Sequence, residues 1–323
     1  MELGKRKIWQ LAGGDWGRWY ADIFLRYGVG LIGEGDAGSW SPERQDKEFG
    51  GGFVRWFADQ VAEGDVFLLR MGTSRIRAIG IVASEYMYLS QFDDVNGWDL
   101  QHGRRVRWFQ LPREQEFNRP VFGANPRRFS RTYDKEVVEY AKRFLGSPPT
   151  DWQTAPLPEL PEEEPAMPDE EIPVRLQEIV GEVRDLHRLF WDRAMFGERP
   201  TEDELVAHFV VPLVRALGWP PEQIGVKWRN VDLVIFDRLP RAPENCRLII
   251  EAKRLGTGVE GALKQAKNYL TALGVQRDVI VTDGVRYRMY ACEKEFESVA
   301  YANLSRLKQK AMELFSRIER RSP

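Results

Sequence analysis

Three side chains in the last third of the chain combine residue types and spacing suited to chemistry at phosphorus: Asp232, Glu251 and Lys253. Asp232 lies in VDLVIFD (231–237), and Glu251 and Lys253 lie in RLIIEAKR (247–254). Each segment is a short apolar run with charges near an end, as expected of a buried strand. If the two pair as neighbours across 237–246, a register that sets 236 opposite 247 also sets 232 opposite 251. Both carboxylates then share one face within reach of one metal ion, and Lys253, two residues on, points the same way. Two carboxylates offer hard oxygen ligands for Mg²⁺ (or Mn²⁺), which retains several waters. A cation so held acidifies an attacking water and stabilises charge on a phosphoryl oxygen, while Lys253 positions that water or neutralises the transition state. Three charges gathered at the end of buried strands are costly without such a purpose. The plain alternative is a surface ion pair, since Glu-x-Lys at a strand end is common.

The elements that must position these residues follow from periodicity. Thr201 with Glu204 three residues later is a capping-box arrangement, opening a helix through Phe209, Val210, Leu213 and Leu217 that stops at Gly218. Strand-like runs come at 231–236, 247–252, 278–282 and 286–291, with one helix, Val259–Leu273, between the second and third. Leu304, Leu307, Ala311, Leu314 and Ile318 predict a final amphipathic helix over 300–320. Upstream, Leu176, Ile179, Val180, Val183, Leu186, Leu189 and Phe190 predict a connector or dimerising helix within 174–199.

This order of helix, strand with Asp, strand with Glu-x-Lys, helix with Gln265 and Tyr269, then strand resembles the PD-(D/E)XK nuclease superfamily. It is most similar to the nuclease domain at the start of type I restriction motor subunits, over about 200–292. TEDELVAHFVVPLVRALGW (201–219) resembles that group's opening helix, whose acidic residue often joins the site, and Glu202 occupies the matching place. QAKNY (265–269) matches its Gln-x-x-x-Tyr signature, two residues one helical turn apart. The resemblance implies that Gln265 and Tyr269 contact a phosphate or brace Lys253, with helix packing as the alternative. Val231 departs from it, standing where the superfamily's name has proline. His208 reads as a core histidine, and His102 and His187 lack partners in the sequence, which disfavours a histidine-based nuclease.

The first half carries different signals. Seven of the 11 tryptophans precede residue 110. Apolar runs at 67–69 and 76–82 and alternation over 106–109 predict short strands, with helices at Gly17–Tyr27 and Phe53–Ala62: a small α+β barrel over 1–146. IWQLAGGDWGRWYADIFLRYGVGLIG (8–33), GDVFLLRMGTSRIRAIGIV (64–82) and HGRRVRWF (102–109) together resemble the PUA-like superfamily, in particular its EVE and YTH-like branch. That resemblance implies binding of nucleic acid, with a flipped, often methylated base taken into an aromatic pocket. Glu34 stands where such families often show tryptophan, and Trp40 follows six residues on. Trp19, Trp40 and Trp98 are pocket candidates because each lies in a polar or glycine-rich segment, with Tyr20 and Trp16 close behind; Trp9, Trp56 and Trp108 have core spacing. Between Gln101 and Arg143 there are eleven Lys/Arg against five Asp/Glu. Arg104, Arg105, Arg107, Arg127, Arg128 and Arg131 fall there, and the loop FGANPRRFSR suits phosphates, against a solvated basic surface as the plain reading.

Residues 147–173 hold eight prolines, eight acidic residues and no basic one, which predicts an extended, poorly ordered linker. A net charge of -2 leaves any nucleic-acid signal local. Cys246 and Cys292 give neither a disulfide framework nor zinc spacing, no apolar run reaches the roughly 18 residues of a membrane span, and a cytoplasmic protein is expected. No GxxxxGK[ST] occurs, so no nucleotide cofactor is expected. The whole reads as an α+β PUA-like barrel (1–146), a Pro/Glu-rich linker (147–173), a connector helix (174–199) and an α/β PD-(D/E)XK domain (200–323). The expected function is a modification-dependent endodeoxyribonuclease acting on DNA with modified cytosine, as a homodimer. The alternatives are an effector nuclease whose first domain senses a small nucleotide signal, and a non-catalytic nucleic-acid-binding protein.

Overall fold

The computed structural model describes residues 6–15, 18–43, 52–95, 98–148, 151–191, 193–255 and 259–320. The chain is mixed α/β and divides into two units, Met1–Glu163 and Glu164–Pro323.

In the first unit, β1 (Ile8–Ala12) leads to a ribbon of β2 (Gly14–Asp15) and β3 (Arg18–Trp19), then α1 (Ala21–Tyr27) and β4 (Val29–Ile32). A short helix α2 (Phe53–Arg55), continued as a π turn over Trp56–Gln60, precedes β5 (Val66–Met71), β6 (Arg75–Val82), β7 (Met87–Tyr88), β8 (His102–Glu116), β9 (Phe129–Arg131) and α3 (Lys135–Gly146). The main sheet runs β4-β8-β6-β5-β1-β9, with β7 on β8, and has the form of a half-barrel. Central β1 and β5 pair in parallel and every residue in both is buried, which is why they read as continuous apolar runs. Beside them the buried Asp65 carboxylate accepts from Lys7 N (2.9 Å), Trp9 Nε1 (2.9 Å) and Ala62 N (3.1 Å), fixing the start of β5. Gly80 lets Trp108 lie across β6, since a Cβ there would stand 2.6 Å from the indole and 2.4 Å from Val106. β8 is far longer than the alternation at 106–109 foretold, because its charged residues also pair with β6, as in Arg75↔Glu116.

The proline-rich segment departs from the expected loose linker. Trp152 is buried against Phe109 and Phe144, at ring distances of 6.0 and 6.4 Å. Arg107 Nε donates to Ala155 O at 2.9 Å, and Arg105 donates to Pro158 O. Further on, in the second unit, Met167 N donates to Leu307 O at 2.7 Å, and Met167 and Ile172 are buried. Prolines already hold φ near its docked value, so ordering such a chain costs less entropy than its composition implies.

The second unit contains α4 (Val174–Trp191), α5 (Arg193–Phe196), α6 (Glu202–Leu205), a π turn over Val206–Val210, α7 (Val211–Ala216), β10 (Ile224–Trp228), β11 (Val231–Phe236), β12 (Cys246–Ala252), α8 (Ala262–Leu273), β13 (Asp278–Thr282), β14 (Arg286–Ala291), β15 (Glu297–Asn303) and α9 (Ala311–Ile318). The sheet follows chain order from β10 to β15. Its one parallel pair, β12 with β13, is bridged by α8, as a crossover requires. The Thr201–Glu204 capping box is present, with Glu204 N donating to Thr201 Oγ1 (3.2 Å) and Thr201 N donating to Glu204 Oε2 (2.7 Å). His208 is exposed rather than in the core, because it lies in the π turn, where the extra residue shifts the helical phase. The helix expected over 300–320 begins only at Ala311, because residues up to Asn303 complete the sheet against β14. The apolar residues of α4 (Leu176, Ile179, Val180, Val183) and α9 (Leu314, Phe315, Ile318) are buried, with α7 beside α4 and β15 beside α9. Among the described residues no helix is long and apolar enough to cross a membrane.

If Trp152 anchors the start of the proline-rich segment, Trp152→Ala should destabilise the chain by about 3 kcal/mol through the cavity left beside Phe109 and Phe144. Urea unfolding of the full chain measures this, and a change below about 0.5 kcal/mol would mean the indole is not an anchor.

Candidate functional site

The β11–β12 ladder pairs Leu233 with Ile250, Val234 with Ile249 and Ile235 with Leu248. Extended one step, that register sets Asp232 across from Glu251. It breaks only at Phe236, which faces Cys246 rather than Arg247 across a bulge. By strand alternation Asp232 and Glu251 share the face of Val234, Phe236 and Ile249, the face covered by Ala262, Ala266 and Leu270 of α8.

Both carboxylates are nearly closed to water, at 5% exposure for Asp232 and 1% for Glu251. Asp232 Oδ2 accepts from Ala252 N at 2.7 Å, and its Oδ1 accepts from Lys227 Nζ at 2.7 Å. Glu251 Oε1 accepts from Lys253 Nζ at 2.9 Å, whereas Glu251 Oε2 is buried with no donor. Burial, seconded by the neighbouring Asp232 charge, pushes the Glu251 carboxyl up to about 7 despite Lys253. Lys253 also faces Glu202 Oε2, at 3.8 Å, and Lys227 faces Asp203 Oδ1, at 2.7 Å. Burial opposes the charge on Lys227, but its hydrogen bonds to Asp203 and Asp232 more than offset this and hold it above the ordinary lysine range.

These groups form an alternating series: Glu202, Lys253, Glu251, then Asp232, Lys227, Asp203. Its ends, Glu202 and Asp203, are neighbours in the first turn of α6, and at its middle the buried Glu251 and Asp232 meet. Four carboxylates against two ammoniums leave two negative charges when all are ionised, the charge of one divalent cation. The residues fit such an ion: the donorless oxygen of Glu251 sits beside a second carboxylate, and hard oxygens suit Mg²⁺ or Mn²⁺. Among the described residues no group of three or more His, Cys, Asp or Glu gathers at metal-ligand spacing, so two carboxylates and water would complete the shell. Gln265 Nε2 donates to Tyr269 Oη at 2.9 Å on α8, so the two are tied to each other while Lys253 is engaged by Glu251 and Glu202. Lys227 and Asp203 escape the sequence reading. An isolated lysine on an edge strand gives no signal of its own.

In the first unit the predicted residues separate into two groups. Arg104 is buried, and its guanidinium donates to Phe57 O (2.9 Å), Ser84 O (3.0 Å) and Ala58 O (2.6 Å), so it holds backbone together rather than facing solvent. Arg105 is half-buried over Gly28 O and Pro158 O. Arg127, Arg128 and Arg131 are exposed, and each lies over an aromatic ring: Trp56 (5.6 Å), Trp98 (4.2 Å) and Tyr133 (4.9 Å). Their loop is rigidly backed, since Arg127 O accepts from both Gln10 Nε2 and Arg70 Nη2, and Arg128 O accepts from Ala12 N.

Trp19 is 48% exposed on the β2–β3 ribbon, whereas Trp40 (8%), Trp98 (4%) and Tyr20 (5%) are buried. Trp40 Nε1 donates to Asp59 Oδ1 (2.8 Å) and Tyr20 packs on Phe24 (5.3 Å), so neither ring faces solvent. Trp16 lies outside the described residues. His102, read as lacking partners, has its Nδ1 2.8 Å from the Tyr86 hydroxyl and its Nε2 3.2 Å from Glu34 O. Nearby, Tyr88 Oη donates to Gly35 O at 2.7 Å. Burial raises the Asp99 carboxyl to about 7 against the pull of Arg128.

Residues 36–124 match the model of a domain of unknown function, DUF8426. No curated protein matches the chain. A solved fragment of a putative HsdR subunit of a type I restriction enzyme from Vibrio vulnificus YJ016 is similar at 19% identity and a TM-score of 0.26, over 37% of this chain. The match spans 25% of that fragment's length.

Above pH 7 the folded protein should carry the repulsion between Glu251 and Asp232 in full. The buried Glu251 carboxyl is pushed from 4.5 up to about 7, so stability falls as pH rises from 4.5 to about 7 and the loss is complete above it. Glu251→Gln, whose amide offers a donor to Asp232, should therefore raise stability at pH 8 by about 1 kcal/mol and change it little at pH 5. Thermal melts at the two pH values test this, and an equal loss at both would mean the glutamate is structural.

Proposed function

We propose that the second unit is a metal-dependent nuclease and that the first unit binds the nucleic acid it cuts. The observation that carries this is the meeting of Asp232 and Glu251, two buried carboxylates with one oxygen lacking any donor. A protein gains nothing in stability from that juxtaposition. It gains a place for a divalent cation, held by Asp232 and Glu251. A cation there supplies charge against the phosphoryl oxygens and makes a water more acidic.

The chain's own groups do the remainder. Lys253, 21% exposed, holds its ammonium on Glu251, where it can donate to a non-bridging phosphate oxygen or orient the attacking water. Glu202 keeps that ammonium aligned from the far side. Gln265 and Tyr269, joined to each other, offer an amide and a hydroxyl to the flanking backbone phosphate.

On the first unit, exposed Arg127, Arg128 and Arg131 on a braced loop suit a phosphate backbone, and Trp19 offers a ring for stacking. Trp98 beneath Arg128, with Trp40 and the His102–Tyr86–Tyr88 group, are our candidates for a pocket that takes a modified, flipped base. In this reading the enzyme is an Mg²⁺-dependent endodeoxyribonuclease directed to modified DNA, working as a homodimer because one such site cuts one strand.

Asp232→Ala, Glu251→Ala and Lys253→Ala should each lower Mg²⁺-dependent cutting of plasmid DNA carrying hydroxymethylated or methylated cytosine at least about a hundredfold. DNA affinity should stay within a few-fold. Arg128→Ala should instead weaken binding and flatten its salt dependence. Gel assays of nicking and linearisation on modified and unmodified plasmid, with filter binding, read these effects. Near-normal cutting by any of the first three variants removes that residue from the site, and equal cutting of both plasmids removes the modified-base reading.

A further inference from the structure

Lys227 lies across from Asp232 on the β10–β11 pair, whose register is the same on either side of it. Pairing runs through Val226↔Leu233 and resumes at Trp228↔Val231, and between them Lys227 takes a left-handed φ of 51°. Arg229 (49°) and Asn230 (71°) follow in the same region. A side chain with a Cβ disfavours that backbone, and nothing in the lysine itself calls for it. What the turn achieves is placement. The Lys227 ammonium reaches Asp232 Oδ1 and Asp203 Oδ1, both at 2.7 Å.

This placement conflicts with the proposed metal site. With Ala252 N on Oδ2 and Lys227 on Oδ1, both oxygens of Asp232 are engaged, although Glu251 beside it keeps an oxygen with no donor. A divalent cation shared by Asp232 and Glu251 would have to stand within contact distance of the ammonium, two positive charges on one oxygen. We infer that Lys227 is a resident cation: its ammonium holds Asp232 in the metal-free protein and swings off it, retained by Asp203, when a divalent ion enters. Asp203, 73% exposed at its side chain and next to Glu202 on α6, is positioned to receive it. Lys227 is thus a positioning residue that keeps the two buried carboxylates apart in charge and sets the concentration at which metal displaces it. The inference rests on the nuclease reading only for the identity of the site.

Mn²⁺ binding to the full chain, followed by loss of the free-ion EPR signal, tests it without cleavage. Lys227→Met and Lys227→Gln should bind Mn²⁺ at least about tenfold more tightly than the unaltered protein. They should also melt earlier without metal and recover more on saturation. Arg229→Met removes a nearby charge that lies over Trp228 instead, and should change affinity less than about twofold. The Gln variant keeps a polar group in the gap should the Met variant fail to fold. Unchanged or weaker Mn²⁺ binding in both 227 variants, or the same gain in Arg229→Met, overturns the inference while leaving a metal site in place. Absence of Mn²⁺ binding in every protein, the unaltered chain included, overturns the metal site and this inference together.

Discussion

A carboxylate taken out of water must be met by donors or cations, and β11 and β12 set two of them side by side. The surroundings of the site follow from that constraint. Each acid is met by one lysine, and each lysine reaches on to one acid of the first turn of α6, Glu202 or Asp203. The helix start is thereby tied to two strands by two ion pairs, with a capping box just ahead of it. At the centre of this group two buried like-charged neighbours remain. Exposed pairs of this kind contribute little to stability, so their value lies in geometry: they fix where the two central oxygens stand.

The first unit handles charge differently. Its buried guanidiniums serve the backbone: Arg104 gathers the carbonyls of residues 57, 58 and 84, and Arg70 gathers those of 72 and 127. Planar, permanently charged groups with several donors can satisfy carbonyls that no strand partner reaches. Arg70 in particular backs the loop carrying Arg127 and Arg128, so a buried inner arginine presents exposed outer ones. In sequence the two kinds cannot be told apart, since Arg104 and Arg128 sit in equally basic stretches.

What could be read from sequence shares a physical form. The β11–β12 register was legible because two apolar runs of similar length can align their charges in few ways. The helix of Ala262–Leu273 and the Thr201 cap were legible because periodicity and capping are local. Other features depend on distant partners. Residues 300–303 read with the amphipathic run of Leu304 and Leu307, yet pairing with β14 draws them into the sheet. The proline-rich stretch carries no periodicity, so the burial of Trp152 had no visible cause there. Lys227 was hidden most completely, since its role depends on a left-handed backbone that lysine seldom adopts.

The same irregular turn has a meaning for the protein among its neighbours in a crowded solution. β10 is the outer strand of a six-stranded sheet, and Val226 on it is 52% exposed. A straight strand in that position would offer a row of open amide and carbonyl groups to any extended chain that met it. Lys227, with its left-handed backbone and its charge, makes that row a poorer template for a recruit. That charge stands at the margin of a sheet whose next two strands, β11 and β12, are almost wholly buried.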